Sequence, residues 1–210
     1  LYARRQRQMC IRDRIKTVLA SGNAHKLEEF KSLLSGTQFE LVSANSFGGM
    51  PSLEESGETF RENALIKASA LKAMVPSDFG VLSDDSGLEV DYLQGAPGVY
   101  SARYAGRNAT DCENMEKLLD ALQEVPNNLR TARFRCVLCW LNETGDAHYF
   151  EGTCEGRILE QARGGSGFGY DPIFVPQGYE QSFGELGESI KSEMSHRALA
   201  LRQFRNTFVN

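Results

Sequence analysis

The chain has 210 residues, 41% hydrophobic and 24% charged, proportions that exclude a disordered or fibrous protein and suffice for one sizeable core. A formal net charge of −5 provides no broad cationic field for nucleic acid, so phosphate binding would have to come from a local cluster. No stretch approaches the roughly eighteen consecutive apolar residues of a membrane span, and nothing resembles a secretory signal; the cytoplasm is the expected compartment, with neither nucleic acid nor membrane as partner.

Residues 1–14 carry Arg4, Arg5, Arg7, Arg12 and Arg14, lack a starting Met and show no apolar periodicity. They read as a disordered arm or an extraneous leader, and a transit peptide fits them less well because such segments are usually Ser-rich and amphipathic. Residues 15–210 are then expected to form a single domain.

That domain opens with a strand at 15–20, which runs through Ser21-Gly22-Asn23 into a helix with Leu27, Phe30 and Leu34 on one side. Thr59 and Glu62 stand at capping-box spacing before Phe60, Ala64, Ala68, Leu71 and Val75, predicting a second helix that ends before Pro76. Val81-Leu82-Ser83 reads as a strand that stops at Asp84-Asp85-Ser86-Gly87 and resumes at 88–92, which places the acidic pair at a junction. Thr110 and Glu113 repeat the capping spacing ahead of Met115, Leu118, Leu119 and Leu122. Strands follow at 131–141 and 147–154 about a turn at 142–146, then a glycine-rich stretch at 164–172, an apolar run at 173–175, and a final helix over about 193–208. Strands and helices mixed without strict alternation predict an α/β or α+β sheet.

Of the five cysteines, at 10, 112, 136, 139 and 154, two form a C-x-x-C inside the strand at 131–141. Residues three apart in a strand point to opposite faces and cannot jointly grip a metal, so these read as packing thiols.

Three constellations carry possible chemistry. Ser21-Gly22-Asn23-Ala24-His25-Lys26 sits where a strand gives way to a helix, where free N–H groups, the helix dipole and a lysine can meet phosphate. Taken alone, an ordinary turn and a solvated lysine explain it more simply. Glu54-Glu55 and Asp84-Asp85 are oxygen donors that suit magnesium beside a polyphosphate, and one of them can draw a proton from water; a dipole-favoured helix start and a turn are the competing explanation. Gly167-Phe168-Gly169-Tyr170-Asp171, with Lys191 and Ser195-His196-Arg197, can form a base pocket in which an aromatic ring stacks on a purine. His196 reads equally as a capping or packing residue, and with only His25 and His148 besides no zinc-type cluster is present.

In order along the chain, the segments SGNAHK, EESGETFRENALIKA, DDSGLEVDYLQGAPGVYSARYAG, FGYDPIF and SHRALAL resemble the inosine and xanthosine triphosphate pyrophosphatase family, from about residue 15 to the C-terminus. The resemblance implies an α/β fold with an elongated central mixed sheet flanked by helices, two lobes with a deep nucleotide-binding cleft, and a homodimer. It implies hydrolysis of inosine, deoxyinosine or xanthosine triphosphate to the monophosphate and pyrophosphate, with Mg²⁺ as cofactor. By the same resemblance Ser21, Gly22, Asn23 and Lys26 bind phosphate, Lys67 reaches it from its helix, and Glu55 and Asp85 hold magnesium. Asp85 is also the proton acceptor, with Asp84 in support and Lys26 stabilising developing charge together with Lys191. Ser86, Phe168, Gly169, Tyr170, Asp171, Lys191, His196 and Arg197 surround the nucleotide.

Preference for a six-keto purine is expected to come from N–H donors, with Arg197 and the backbone near Phe168 as candidates. One departure stands out: family members usually carry an acidic, helix-favouring run before SHR, whereas here Gly184 and Gly187 interrupt it, putting the geometry around Lys191 in question. Two other functions fit the same segments less well: a Maf-like pyrophosphatase for other nucleotides, against which FGYD and SHR argue, and a nucleotide-binding module without turnover, which would not need both Glu55 and Asp85.

Overall fold

The computed structural model describes residues 14–208, so of the leader only Arg14 falls within them. Helix starts are set where the local spacing predicts. Helix α2 (Phe60–Lys72) and helix α3 (Asp111–Ala121) each begin at a complete capping box, in which the threonine hydroxyl accepts from the N–H three residues on and the glutamate returns the bond. The other helices are α1 (Ala24–Leu33), α4 (Phe183–Met194) and α5 (His196–Phe208). The strands are β1 (Ile15–Leu19), β2 (Phe39–Ser43), β3 (Gly80–Val90), β4 (Thr131–Leu141), β5 (Ala147–Ile158) and β6 (Phe174–Pro176).

These strands form one mixed sheet in the order β2-β1-β3-β4-β5-β6, with β1 parallel to both β2 and β3 and β5 antiparallel to β6. Three expectations need correcting. The acidic pair does not interrupt a strand: β3 runs continuously through Asp84 and Asp85, because every residue from Gly80 to Asp85 is buried and the ladder satisfies backbone groups that water cannot reach there. The second strand of the hairpin extends to Ile158. The final helix is two elements: Met194 ends α4, Ser195 leaves the helical conformation and its hydroxyl accepts from the Ala198 N–H to start α5. Gly187, at φ 73°, interrupts α4, as the glycines in that run suggested. Strand β2 had no assignment from sequence.

The chain divides into two compact units. Among the described residues the first comprises 14–84, 137–150 and 201–208. Its core packs Ala64, Ala68 and Leu71 of α2 against Val18, Val81, Cys139 and Leu141 of the strands. The second comprises 85–136 and 151–200, with Leu118 of α3 and Leu122 just beyond its end on Leu88, Val90, Ala132, Phe134, Phe174 and Tyr170. Arg130 is fully buried in this unit, and its guanidinium donates to the carbonyls of Leu122, Ile158 and Leu159, tying the end of α3 to the end of β5; a cation there also suits the negative end of the helix dipole.

Cys136, Cys139 and Cys154 are buried, and burial pushes the Cys139 and Cys154 thiols up to about 11 and about 12, as packing thiols should behave. Among the described residues no helix is long and apolar enough to cross a membrane.

Candidate functional site

In the first unit the junction of β1 and α1 is built by short-range bonds. The Asn23 N–H donates to Ser21 Oγ, and Asn23 Oδ1 accepts from the Lys26 N–H, which caps the first turn. A Cβ on Gly22 would meet nothing within 4 Å, so this backbone stands open to an approaching ligand. Ser21, Gly22, Lys26, Glu55, Lys67 and Asp84 line one concavity of about 420 Å³, completed by Ala20 and the segment Met50-Pro51-Ser52-Leu53. That segment carried no sequence signal, because an irregular stretch of small and apolar residues has neither periodicity nor charge to reveal a lining role.

The charges in this concavity are already paired. Lys26 Nζ donates to both oxygens of Asp84 at 2.8 Å, and the Asp84 side chain is 2% exposed. Lys67 Nζ lies 3.3 Å from Glu55 Oε1. Two ammonium groups and two carboxylates therefore sum to zero, and an added polyphosphate would face no net positive charge unless a cation came with it. The loop that carries Glu55 is held from α2: the Gly57 N–H donates to Oδ1 of the buried Asn63, and the Glu58 N–H to Glu62 Oε2.

Asp84 and Asp85 are neighbours in β3. Asp84 is turned to Lys26, and Asp85, the first residue of the second unit, is itself buried. Ser86 follows it, half-buried.

The second unit gathers Phe168, Asp171, Lys191 and Arg197. Phe168 is 60% exposed. The Lys191 ammonium lies 4.5 Å and the Arg197 guanidinium 5.7 Å from its ring centroid, distances at which cations are attracted to the aromatic face. Lys191 Nζ also donates to Asp171 Oδ2 at 2.5 Å, and that oxygen accepts from the Phe168 N–H. Gly167 and Gly169 adopt φ of 84° and 62°, left-handed conformations that favour glycine; a Cβ on Gly167 would collide with the Asp171 carboxylate.

Of the two rings in this stretch only Phe168 faces solvent. Tyr170 is 4% exposed, its ring lies in the core, and its hydroxyl, pushed to a higher pKa first by burial, donates to the Ser101 carbonyl. His196 is buried with its imidazole stacked on Phe134, centroids 4.9 Å apart and 14° between planes, so it packs the start of α5. The backbone donors expected near Phe168 are engaged: the Phe168 N–H by Asp171 and the Gly169 N–H by Asp111 Oδ2 at 2.7 Å. Asp111 was legible in the sequence only as a helix start.

The profile of the Ham1 family matches residues 17–207. The dITP/XTP pyrophosphatase of Opitutus terrae is 49% identical over 195 residues, covering 90% of this chain and 96% of that protein, and the dITP/XTP pyrophosphatase of Vibrio vulnificus is 48% identical over 190 residues, covering 90% and 94%. A solved HAM1 protein from Coxiella burnetii superposes with a TM-score of 0.85 at 40% identity, covering 92% of this chain and 98% of its own. With matches that span nearly every described residue and both compact units, the chain belongs to the Ham1 family.

Proposed function

We propose that this protein hydrolyses noncanonical purine nucleoside triphosphates, such as inosine, deoxyinosine and xanthosine triphosphate, to the monophosphate and pyrophosphate. The observation that carries the proposal is the electroneutral set Lys26, Asp84, Lys67 and Glu55 around one concavity, which suits an anionic polyphosphate only when it arrives with a divalent cation. Relatives named dITP/XTP pyrophosphatases at 44–49% identity support the reaction class. The reading treats residues 15–210 as one catalytic domain, acting on free nucleotides in the cytoplasm as a homodimer.

Magnesium fits the donors available. It demands oxygen ligands and takes one or two carboxylates together with substrate phosphates and water, and Glu55 and Asp85 are oxygen donors. Among the described residues no group of three or more His, Cys, Asp or Glu side chains forms a cage, which agrees with a metal shell completed by substrate. Bound there, Mg²⁺ would neutralise the polyphosphate and polarise the phosphorus.

The chain's own residues then divide the work. Ser21, Gly22, Asn23, Lys26 and Lys67 hold the phosphates. Asp85 takes a proton from the water that attacks the α-phosphorus; the bond to the bridging oxygen breaks and pyrophosphate leaves, with Lys26 balancing charge on the departing group. Asp84 fixes the Lys26 ammonium. On the base side Phe168 stacks on the purine, and Lys191 and Arg197, both within reach of that ring, offer donors to the six-keto oxygen. Ser86, Gly169, Tyr170, Asp171 and His196 shape this side by backbone and packing. We place Lys191 with the base rather than with the scissile phosphate because its ammonium lies over Phe168.

The test is pyrophosphate release from inosine, xanthosine, adenosine, guanosine and thymidine triphosphates, with and without Mg²⁺, for the wild type and Asp85→Asn. Magnesium-dependent release from the first two, reduced on the order of a thousandfold in the variant, is the expected outcome. Binding without cleavage would leave a non-catalytic module, and preference for thymidine triphosphate would leave a pyrophosphatase of different pocket chemistry.

A further inference from the structure

Phe168 stands on backbone that is fixed from both sides. The peptide before its Cα carries the Phe168 N–H, which donates to Asp171 Oδ2 at 2.9 Å. The peptide after it carries the Gly169 N–H, which donates to Asp111 Oδ2 at 2.7 Å. With both planes held by carboxylates in short, charge-assisted bonds, only the side-chain torsions of Phe168 remain free. Gly169, at φ 62°, belongs to the residue type with the most conformational freedom to lose, so this peptide plane has most need of an external hold.

Asp111 is exposed and is the first residue of α3, a position where a carboxylate is favoured by the helix dipole alone. That role is already filled. Thr110 and Glu113 complete the capping box, and the bonds from the Thr110 N–H and hydroxyl hold the Glu113 carboxyl below its usual range. Asp111 instead reaches a glycine 58 positions away. The same helix supports the neighbouring loop: Asn114 Oδ1 accepts from the Ala105 N–H, its amide donates to the Ala102 carbonyl, and Lys117 donates to the Tyr104 carbonyl. Within that loop the Ser101 carbonyl receives the Tyr170 hydroxyl. Helix α3 thus braces the Phe168 segment directly through Asp111 and indirectly through residues 101–105.

We propose that Asp111 is a positioning residue for base recognition: by pinning the Phe168–Gly169 peptide it fixes the backbone from which the Phe168 ring meets the purine. The inference rests on the reading that Phe168 is the stacking platform. Its effect belongs to nucleoside binding and not to the phosphates, because the groups Asp111 touches lie in the second unit and the phosphate-binding concavity is lined by the first.

The experiment measures KM and kcat for inosine triphosphate, and inhibition by inorganic tripolyphosphate, in the Mg²⁺-loaded wild type, Asp111→Ala, Asp111→Asn, Phe168→Ala and the double variant Asp111→Ala/Phe168→Ala. Asp111→Ala is expected to raise KM roughly tenfold, the loss of one charge-assisted bond, with tripolyphosphate inhibition unmoved. Asp111→Asn, which keeps an acceptor oxygen, recovers most of the loss. In the Phe168→Ala background Asp111→Ala adds less than about twofold, since both changes remove one interaction. An unchanged KM in Asp111→Ala, an equal loss for tripolyphosphate, or multiplicative losses in the double variant overturns the proposal. If Phe168→Ala itself leaves KM unchanged, the platform reading falls and takes the proposal with it; a normal Phe168 effect beside a silent Asp111→Ala overturns the proposal alone.

Discussion

The two units present their candidate binding groups in contrasting states. In the first, Lys26 and Lys67 are engaged by carboxylates, so their charges must be shared with any phosphate that arrives. In the second, the Phe168 segment is built by hydrogen bonds between buried or braced groups, and its ring stands exposed on that held backbone. The lesson is that charge and shape are prepared differently. A cationic site for a highly charged ligand is kept neutral until cation and ligand come together, because unpaired buried charge is costly. An aromatic platform carries no such penalty and gains from rigidity, since ordering it in advance removes an entropic cost of binding.

The largest expected effect that tests this contrast comes from Lys26→Ala. The Asp84 side chain is almost fully buried and both its oxygens receive the Lys26 ammonium, so removing the cation is expected to destabilise the fold by about 3–5 kcal/mol and to weaken nucleoside triphosphate and tripolyphosphate alike. Phe168→Ala, by contrast, is expected to leave the unfolding midpoint near wild type and to weaken inosine triphosphate by about 1–3 kcal/mol, the range for stacking one base on an aromatic ring, while tripolyphosphate inhibition stays constant. Urea unfolding paired with the two binding measurements reads both variants. Similar profiles for the two would mean that the units do not divide phosphate from base.

A smaller effect is expected at Gly57. A Cβ there would lie 2.6 Å from Asn63 Oδ1 and 2.7 Å from Glu62 Cβ, so Gly57→Ala must push the Glu55 loop off α2 at a cost of about 1–3 kcal/mol. The Mg²⁺ concentration for half-maximal activity should rise several-fold with the KM at saturating Mg²⁺ little changed. A change in KM alone would separate Glu55 from the metal.

The smallest effect lies on the charged sheet face of the second unit, where Arg133 bridges Asp91 and Glu155 and Arg135 bridges Glu89 and Glu151. The Thr131 hydroxyl, followed by Arg133, holds the Asp91 carboxyl below its ordinary value. A depressed carboxylate stabilises the fold above its unfolded pKa of about 4 and loses that contribution as pH falls through its folded value. Because Asp91 is 42% exposed, screening limits the contribution to less than about 1 kcal/mol. The gap in urea midpoint between wild type and Asp91→Asn should therefore be present at pH 7, narrow as the pH drops below 4, and shrink in 1 M salt. A gap that persists at low pH would point to packing instead.

Much of this was legible in the sequence where the determining contacts are local. Helices α2 and α3 begin where Thr59/Glu62 and Thr110/Glu113 predict, because a capping box closes within four residues. The two-residue period sets Cys136 and Cys139 on opposite strand faces and so reads them as packing thiols, and both thiols are buried. Five motifs in order carried the family, since their spacing is a property of the chain itself.

Tertiary structure decided the rest. Asp84-Asp85 read as a junction between two strands, yet burial within the sheet kept β3 extended through it. Phe168 and Tyr170 are two residues apart in one glycine-rich run, and only packing sends one ring to solvent and the other into the core. The bonds from Lys26 to Asp84 and from Gly169 to Asp111 each join residues 58 positions apart. No helical or strand period spans such a distance, so the sequence could supply these groups while only the folded chain could choose their partners.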